Sequence, residues 1–281
     1  MVRGELRLSD GRRLEYEVHG TGTPVLLLHG APGSARFVPG ALDGVRLITF
    51  DRPGYGGSTP RPRRTVLDTA ADVAALLDAL EIERLPIIAW SGGCPFAVAT
   101  AFALGSARVA SLVLVSGPGP LDEVPGAWDA LGDYQRPTAE MARDDPQRSI
   151  HAIARHMRPF VEHPESFLGS GRGADGPFLR DPSLRRMLDV QIRDAVRQGA
   201  AGIGADLIAM WRPWEFSLAQ VATPTRVFHG ALDPHNAEDA KCYAACIPGA
   251  ALTVWADLGH LGILSQWSQV VAAGTASGLD R

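Results

Sequence analysis

A serine, an aspartate and a histidine, each just past an apolar run, are the side chains best placed for chemistry. Ser91 follows Leu85-Pro86-Ile87-Ile88-Ala89-Trp90 and precedes Gly92-Gly93-Cys94-Pro95, after which an apolar helix is expected from Phe96 to Leu104. A serine pinched between strand and helix needs small neighbours because the turn is sharp, and the turn lifts its hydroxyl clear of the sheet. Asp233 comes just after the run Pro224 to His229, and His260 just after Ala251 to Trp255. A serine hydroxyl is a weak nucleophile until a base takes its proton; an imidazole with an unperturbed pKa near ~6.5 suits that task, and a carboxylate can hold its useful tautomer. The chemistry open to such a trio is acyl transfer to water through a serine-bound intermediate.

The elements around these residues must bring them together. Leu6 to Leu8 and Leu14 to Val18, split by Ser9-Asp10-Gly11, predict a hairpin. Pro24 to His29, Val45 to Phe50, the run before Ser91 and Val109 to Ser116 are continuous apolar stretches, as strands buried on both faces require. Thr65 with Asp68 opens a helix whose Val66, Ala70, Val73, Leu77 and Leu80 share a face. Strands alternating with helices at this pitch predict an α/β fold: a mostly parallel, twisted sheet covered by helices on both faces. The rhythm breaks at Gly117-Pro118-Gly119-Pro120. From there to about Ser217 only turns and helical segments are expected, among them a helix with Leu184, Met187, Leu188, Ile192 and Ala195 on one side. The pattern resumes at Pro224, with a helix from about Ala237 to Ile247, a strand from Ala251 to Trp255 and a last helix after His260. The expected organisation is a core of residues 1–117 and 218–281 with a helical lid, 118–217, inserted between two strands. In a parallel sheet the carboxyl ends of the strands share one edge, so Ser91, Asp233 and His260 should converge there.

Composition narrows the setting. With 46% hydrophobic and 21% charged residues in 281, and a net charge of −4 without blocks of either sign, the chain makes no electrostatic case for nucleic acid or an anionic membrane. The opening Met1-Val2-Arg3-Gly4-Glu5 lacks an apolar signal core, and no run approaches the roughly 18 apolar residues of a spanning helix. A cytoplasmic protein is the expectation. Three cysteines make no disulfide framework, and Cys242 and Cys246 read as thiols on one apolar helix face. His151, His156 and His163 lack metal spacing, and the glycines of Asp51-Arg52-Pro53-Gly54-Tyr55-Gly56-Gly57-Ser58 miss the dinucleotide pattern, so neither a metal nor a cofactor is expected. The expected partner is a small-molecule substrate; self-association is left open.

The His29-Gly30-Ala31-Pro32-Gly33-Ser34 loop, the Asp51 to Ser58 loop, the turn at Ser91, Gly230-Ala231-Leu232-Asp233 and Gly259-His260, in that order, resemble the α/β-hydrolases over essentially the whole chain. The likeness is to serine-nucleophile bacterial hydrolases with a helical lid. It implies catalysis by Ser91, Asp233 and His260, an oxyanion hole from the backbone N–H groups of Ala31 and Gly92, and a loop-shaping role for His29. Ala89 stands where the family's usual turn has glycine; it is expected to tighten the turn and keep the nucleophile. Phe37, Trp90, Trp128, Trp211 and Trp214 are candidates for an apolar pocket under the lid. Such a site suits a small, rather apolar carboxylic ester or lactone. Three alternatives stay open: a carbon–carbon bond hydrolase, a proline-releasing aminopeptidase that would hold an amine on acids such as Glu123 or Glu140, and a scaffold used for ligand binding or non-hydrolytic cyclisation.

Overall fold

In a computed structural model, which describes residues 1–169 and 172–276, eight strands form one sheet. They are β1 (Val2–Arg7), β2 (Arg13–Gly20), β3 (Thr23–Leu28), β4 (Val45–Phe50), β5 (Leu85–Trp90), β6 (Val109–Val115), β7 (Thr225–Gly230) and β8 (Ala251–Trp255). Their spatial order is β1-β2-β4-β3-β5-β6-β7-β8; the first two pairings are antiparallel and the rest parallel. The apolar runs fall where the sequence places them because both faces of these strands are covered. Leu26, Leu28, Ile87, Ala89, Leu112 and Leu114 join one core, and the alternating Val25, Leu27, Ile88, Trp90, Val113 and Val115 join another. Each fully buried aliphatic side chain of this kind contributes about 1.5–3 kcal/mol.

The first core is closed by α1 (Asp68–Ala79) and α2 (Cys94–Arg108). Asp68 does accept from the Thr65 N–H at 2.7 Å, but the regular helix begins at Asp68, with Leu67 before it already at helical dihedrals (φ −66°, ψ −31°), so it starts later than the capping pattern suggests. Between β6 and β7 lie α3 (Ala127–Ala130), α4 (Gln135–Asp144), α5 (Pro146–Glu162), α6 (Gly176–Arg180), α7 (Pro182–Ala195) and α8 (Ala201–Trp211), with no strand among the described residues. Two of these starts are Asp-Pro steps: Asp145 accepts from Arg148 N, and Asp181 from Ser183 N and Leu184 N, while proline supplies a first turn with no N–H to satisfy. This helical segment has its own apolar interior, built from Ala139, Ala142, Ile153, Met157, Ile203, Ile208 and neighbours. After β7 come α9 (Ala237–Cys246), on the first core, and α10 (Trp267–Thr275), on the second. No helix among the described residues is long and apolar enough to cross a membrane.

Candidate active site

Ser91 sits directly after β5 with φ of 52°, in the left-handed region that costs an L-residue energy and that surrounding structure must enforce. Enforcement comes from close packing behind it. A Cβ on Gly93 would lie 2.5 Å from Leu28 O and 2.7 Å from His29 O, so only glycine lets the start of α2 pass that near β3. Ala89 causes no conflict. It is an ordinary strand residue, paired with Leu28 and Leu114, and the tight conformation falls on Ser91 instead. Cys94 is fully buried with Sγ 3.5 Å from Ala89 O, and burial pushes its thiol up to about 12, which leaves it an inert core residue.

The three sequence candidates meet at the sheet edge. His260 Nδ1 lies 2.7 Å from Asp233 Oδ2, and His260 Nε2 lies 3.0 Å from Ser91 Oγ. Asp233, its side chain wholly buried, accepts the His235 N–H at 3.0 Å on its other oxygen. Burial alone would raise the Asp233 carboxyl; the hydrogen bond and charge of His260 and the His235 N–H outweigh it and hold the group below the usual carboxylate value. An acceptor-only carboxylate facing Nδ1 keeps the ring proton there and leaves the Nε2 lone pair for the serine hydroxyl. The histidine loop is pinned on both sides: Trp90 Nε1 donates to His260 O at 3.1 Å, and Asp175 accepts from Leu261 N at 2.9 Å. Asp257, close to His260 in sequence, is exposed.

Gly92 and Ala31 face each other across the turn; a Cβ on Gly92 would lie 3.0 Å from Ala31 N. His29 is fully buried, with Nδ1 2.7 Å from Gly30 O, and desolvation followed by the Arg52 charge drives its pKa well down. It is neutral and turned into its own loop.

Two cavities flank Ser91, and Ala31 and His260 border both. One, about 430 Å³, is lined by Leu121, Leu131, Leu207, Met210 and Trp211 together with Gln135, Asn236 and Asp239. The other, about 220 Å³, is lined by Trp90, Phe167, Leu168, Leu179, Leu188, Ile192 and Leu261 with Gln191 and Asp175. A further hollow of about 490 Å³, by Arg36, Pro182 and Arg186, touches none of the three candidates. Of the five aromatics considered for a pocket, Trp90 and Trp211 line cavities. Phe37 lies beneath Trp90, fully buried and stacked at 4.7 Å; Trp128 packs under Arg143 at 4.5 Å; Trp214 leans on Phe216. These three occupy packing positions, as an amphipathic aromatic does wherever a wall is within reach. The cavity walls that sequence reasoning missed, Leu179, Gln191 and Asp239, carry no local signal. Leu188 and Ile192 were visible only as one helix stripe.

Acids with metal spacing come together elsewhere. Among the described residues, oxygens of Glu15, Asp51 and Asp194 lie within 4.8 Å of one another. Arginines already answer this charge: Arg3 and Arg197 reach Glu15 at 2.7 and 3.0 Å, and Arg36 reaches Asp194 at 3.2 Å. Burial, opposed by the Ala35 N–H and aided by the charge of Asp194 and a hydrogen bond with Glu15, raises Asp51 to about 7. Hydrogen bonds from Arg3 and Asp51 hold Glu15 low despite its burial. A carboxyl whose pKa rises from 3.8 to about 7 takes up a proton on folding, so its stability contribution is complete at low pH and is lost as pH climbs through that window. In Asp51→Asn the amide can donate to Glu15 at every pH, at the cost of the weaker of the two backbone N–H groups the carboxylate accepts, that of Gly57 at 3.3 Å against Ala35 at 2.7 Å. Relative to wild type, the variant's melting temperature is expected to rise steadily as pH climbs from about 4 to about 7 and then level off, by ~2–4 °C for each kcal/mol recovered in a large domain. Melting curves that stay parallel from pH 5 to pH 8 would exclude a titrating Asp51.

A model of the alpha/beta hydrolase fold matches residues 23–266. The chain is 38% identical over 109 residues to a proline iminopeptidase from Xylella fastidiosa, covering 35% of this chain and 34% of that protein. It is 29% identical over 289 residues to a 2-hydroxy-6-oxononadienedioate/2-hydroxy-6-oxononatrienedioate hydrolase from Paraburkholderia xenovorans, covering 93% and 88%. A solved thermophilic esterase from Thermogutta terrifontis superposes with a TM-score of 0.67 at 25% identity, over 97% of this chain and 96% of that one. The chain spans about a third of the length of the curated relatives it matches first. The family match covers most of the sheet and its flanking helices, and with it the chain belongs to the alpha/beta hydrolase fold family.

Proposed function

We propose that the protein is a serine hydrolase that cleaves a small, uncharged, rather apolar carboxylic ester or lactone through an acyl-enzyme on Ser91. The observation that carries this reading is the hydrogen-bonded line Asp233–His260–Ser91, at 2.7 and 3.0 Å, at the mouth of a small, mainly apolar cavity and a larger one of mixed lining. Ser91 Oγ attacks the ester carbonyl while His260 Nε2 takes its proton, and the N–H groups of Ala31 and Gly92 receive the oxyanion. Collapse expels the alkoxide, which takes the proton back from His260. A water, deprotonated by the same nitrogen, then frees the acid and restores Ser91. Residues 118–217 act in this reading as a lid over a core of 1–117 and 218–281.

The cavity linings bear on the alternatives. No lysine or arginine lines either cavity among the described residues. A dianionic substrate such as the relative's dioate would enter with only the imidazoles of His235 and His260 to meet it, next to Asp175 and Asp239, at a heavy desolvation cost. That weighs against the carbon–carbon bond reading. A free amine is another matter. Glu123 is engaged with Ser217 and Leu218 N, and Glu140 pairs with Arg136 on the surface, so neither reaches the cavities; Asp239, whose carboxyl burial raises, does. An aminoacyl amide is therefore the second reading. Labelling of the purified protein with a fluorophosphonate probe tests the reaction class: wild type should be labelled and should hydrolyse short-chain nitrophenyl esters, and Ser91→Ala should do neither. An unlabelled, inactive wild type would end the serine-hydrolase reading. Faster turnover of proline nitroanilide than of nitrophenyl ester would favour the amide.

A further inference from the structure

Buried behind the loop that carries Ala31 is an ionic cluster that joins it to the helical segment between β6 and β7. Arg52, wholly buried after β4, gives Nη1 to His29 O at 2.5 Å and Nη2 to Gly30 O at 3.0 Å. The same guanidinium is gripped by Asp206 of α8, also wholly buried, with Nη2–Oδ2 at 2.6 Å and Nε–Oδ2 at 3.1 Å. Asp206 further accepts from Tyr55 Oη at 2.9 Å and from Arg64. Both guanidinium groups lie over the Phe96 ring in the first turn of α2, at 4.9 and 4.8 Å.

We propose that Asp206 is a positioning residue for the oxyanion hole, acting through Arg52 on the Gly30–Ala31 peptide. This rests on the reading of Ser91, Ala31 and Gly92 above. A trans peptide is planar, with its C=O and N–H pointing in opposite directions. Holding the Gly30 carbonyl toward Arg52 and His29 therefore turns the Ala31 N–H the other way, toward the turn at Ser91. A guanidinium has a rigid fork of donors, so its orientation decides which carbonyls it can reach, and the carboxylate of Asp206 sets that orientation. The chemistry at Ser91 thus depends on α8 being seated, although Asp206 touches no substrate. A buried carboxylate clamped by two arginines can also be replaced by apolar residues of similar volume without loss of stability. That property separates positioning from mere support.

Three variants, assayed beside Ser91→Ala on one nitrophenyl ester, decide the matter. Asp206→Asn keeps the shape and loses the charge. Arg52→Lys keeps the charge and loses the fork. The triple variant R52M/R64M/D206L, built on a Tyr55→Phe background so that no buried hydroxyl loses its acceptor, replaces the cluster by apolar side chains. Each is expected to lose kcat by up to the ~10²-fold typical of one misplaced oxyanion donor, with KM within about threefold of wild type. The triple variant should melt near wild type and still be slow. Wild-type kcat in Asp206→Asn or in the triple variant would overturn the proposal, as would a rise in KM at constant kcat, which would mean that the cluster shapes the cavity. If Ser91→Ala itself retains turnover, the parent reading falls instead, whatever the Asp206 variants do.

Discussion

Asp233→Asn is expected to lower kcat by ~10⁴-fold while KM and the melting temperature stay close to wild type. The size of the effect comes from a proton in the wrong place. Asparagine keeps the volume of aspartate, but only one of its two terminal atoms accepts a hydrogen bond. The His235 N–H, 3.0 Å from one carboxylate oxygen, claims that acceptor, so the amide NH₂ faces His260 Nδ1 where an acceptor stood at 2.7 Å. The imidazole must then present a lone pair at Nδ1 and carry its proton on Nε2, 3.0 Å from Ser91 Oγ. A protonated Nε2 cannot take the serine proton. Turning the amide over only moves the clash to the His235 N–H. Steady-state kinetics on a nitrophenyl ester measure the loss, and a variant within tenfold of wild type would remove Asp233 from its proposed role.

The second large effect is expected at Gly92→Ala, where a single methyl group meets the opposite wall of the oxyanion site. The new Cβ would stand 2.6 Å from Ala31 Cβ and 3.0 Å from Ala31 N, closer than packed atoms allow. Gly92 does not lie in the left-handed region, so the cost is steric displacement of the loop and not backbone strain. One of the two donors is then moved from the position the oxyanion would take, and each such donor is worth roughly 10²–10³ in rate. The fall should appear in kcat, and fluorophosphonate labelling should slow in step, since both reactions build negative charge on the same oxygen. Unchanged labelling in a folded Gly92→Ala protein would show that the N–H groups of Ala31 and Gly92 are not the donors.

Much of this architecture is written locally. Leu85 to Trp90 reads as a buried strand because six consecutive side chains find cover on alternating faces, and the structure draws the same limits for β5. The convergence of Ser91, Asp233 and His260 could be anticipated for a topological reason. Each follows a strand, and in a parallel sheet strand ends share an edge whatever lies between them in sequence. Chain order and local hydropathy are enough for that inference.

The site's surroundings are not local. Arg52 and Asp206 are far apart in the chain, and nothing near either residue announces the partner; only the seating of α8 on the loop after β4 brings them together. One wall of the smaller cavity comes from α6 and α7, whose stripes say which side is apolar but not which wall it faces. Phe37, Trp128 and Trp214 show the same limit from the other side, because an aromatic residue is equally at home in a core and in a pocket. Glu15, Asp51 and Asp194 come from a strand, a loop and a helix, and the rise in the Asp51 pKa exists only once folding has buried it beside the other two. The sequence by itself determined the sheet, the order of its loops and the convergence of three side chains, since these follow from hydropathy period and strand direction. Tertiary structure alone decided how those side chains are aimed and what encloses them, because contacts between distant elements depend on packing that no short stretch of chain encodes.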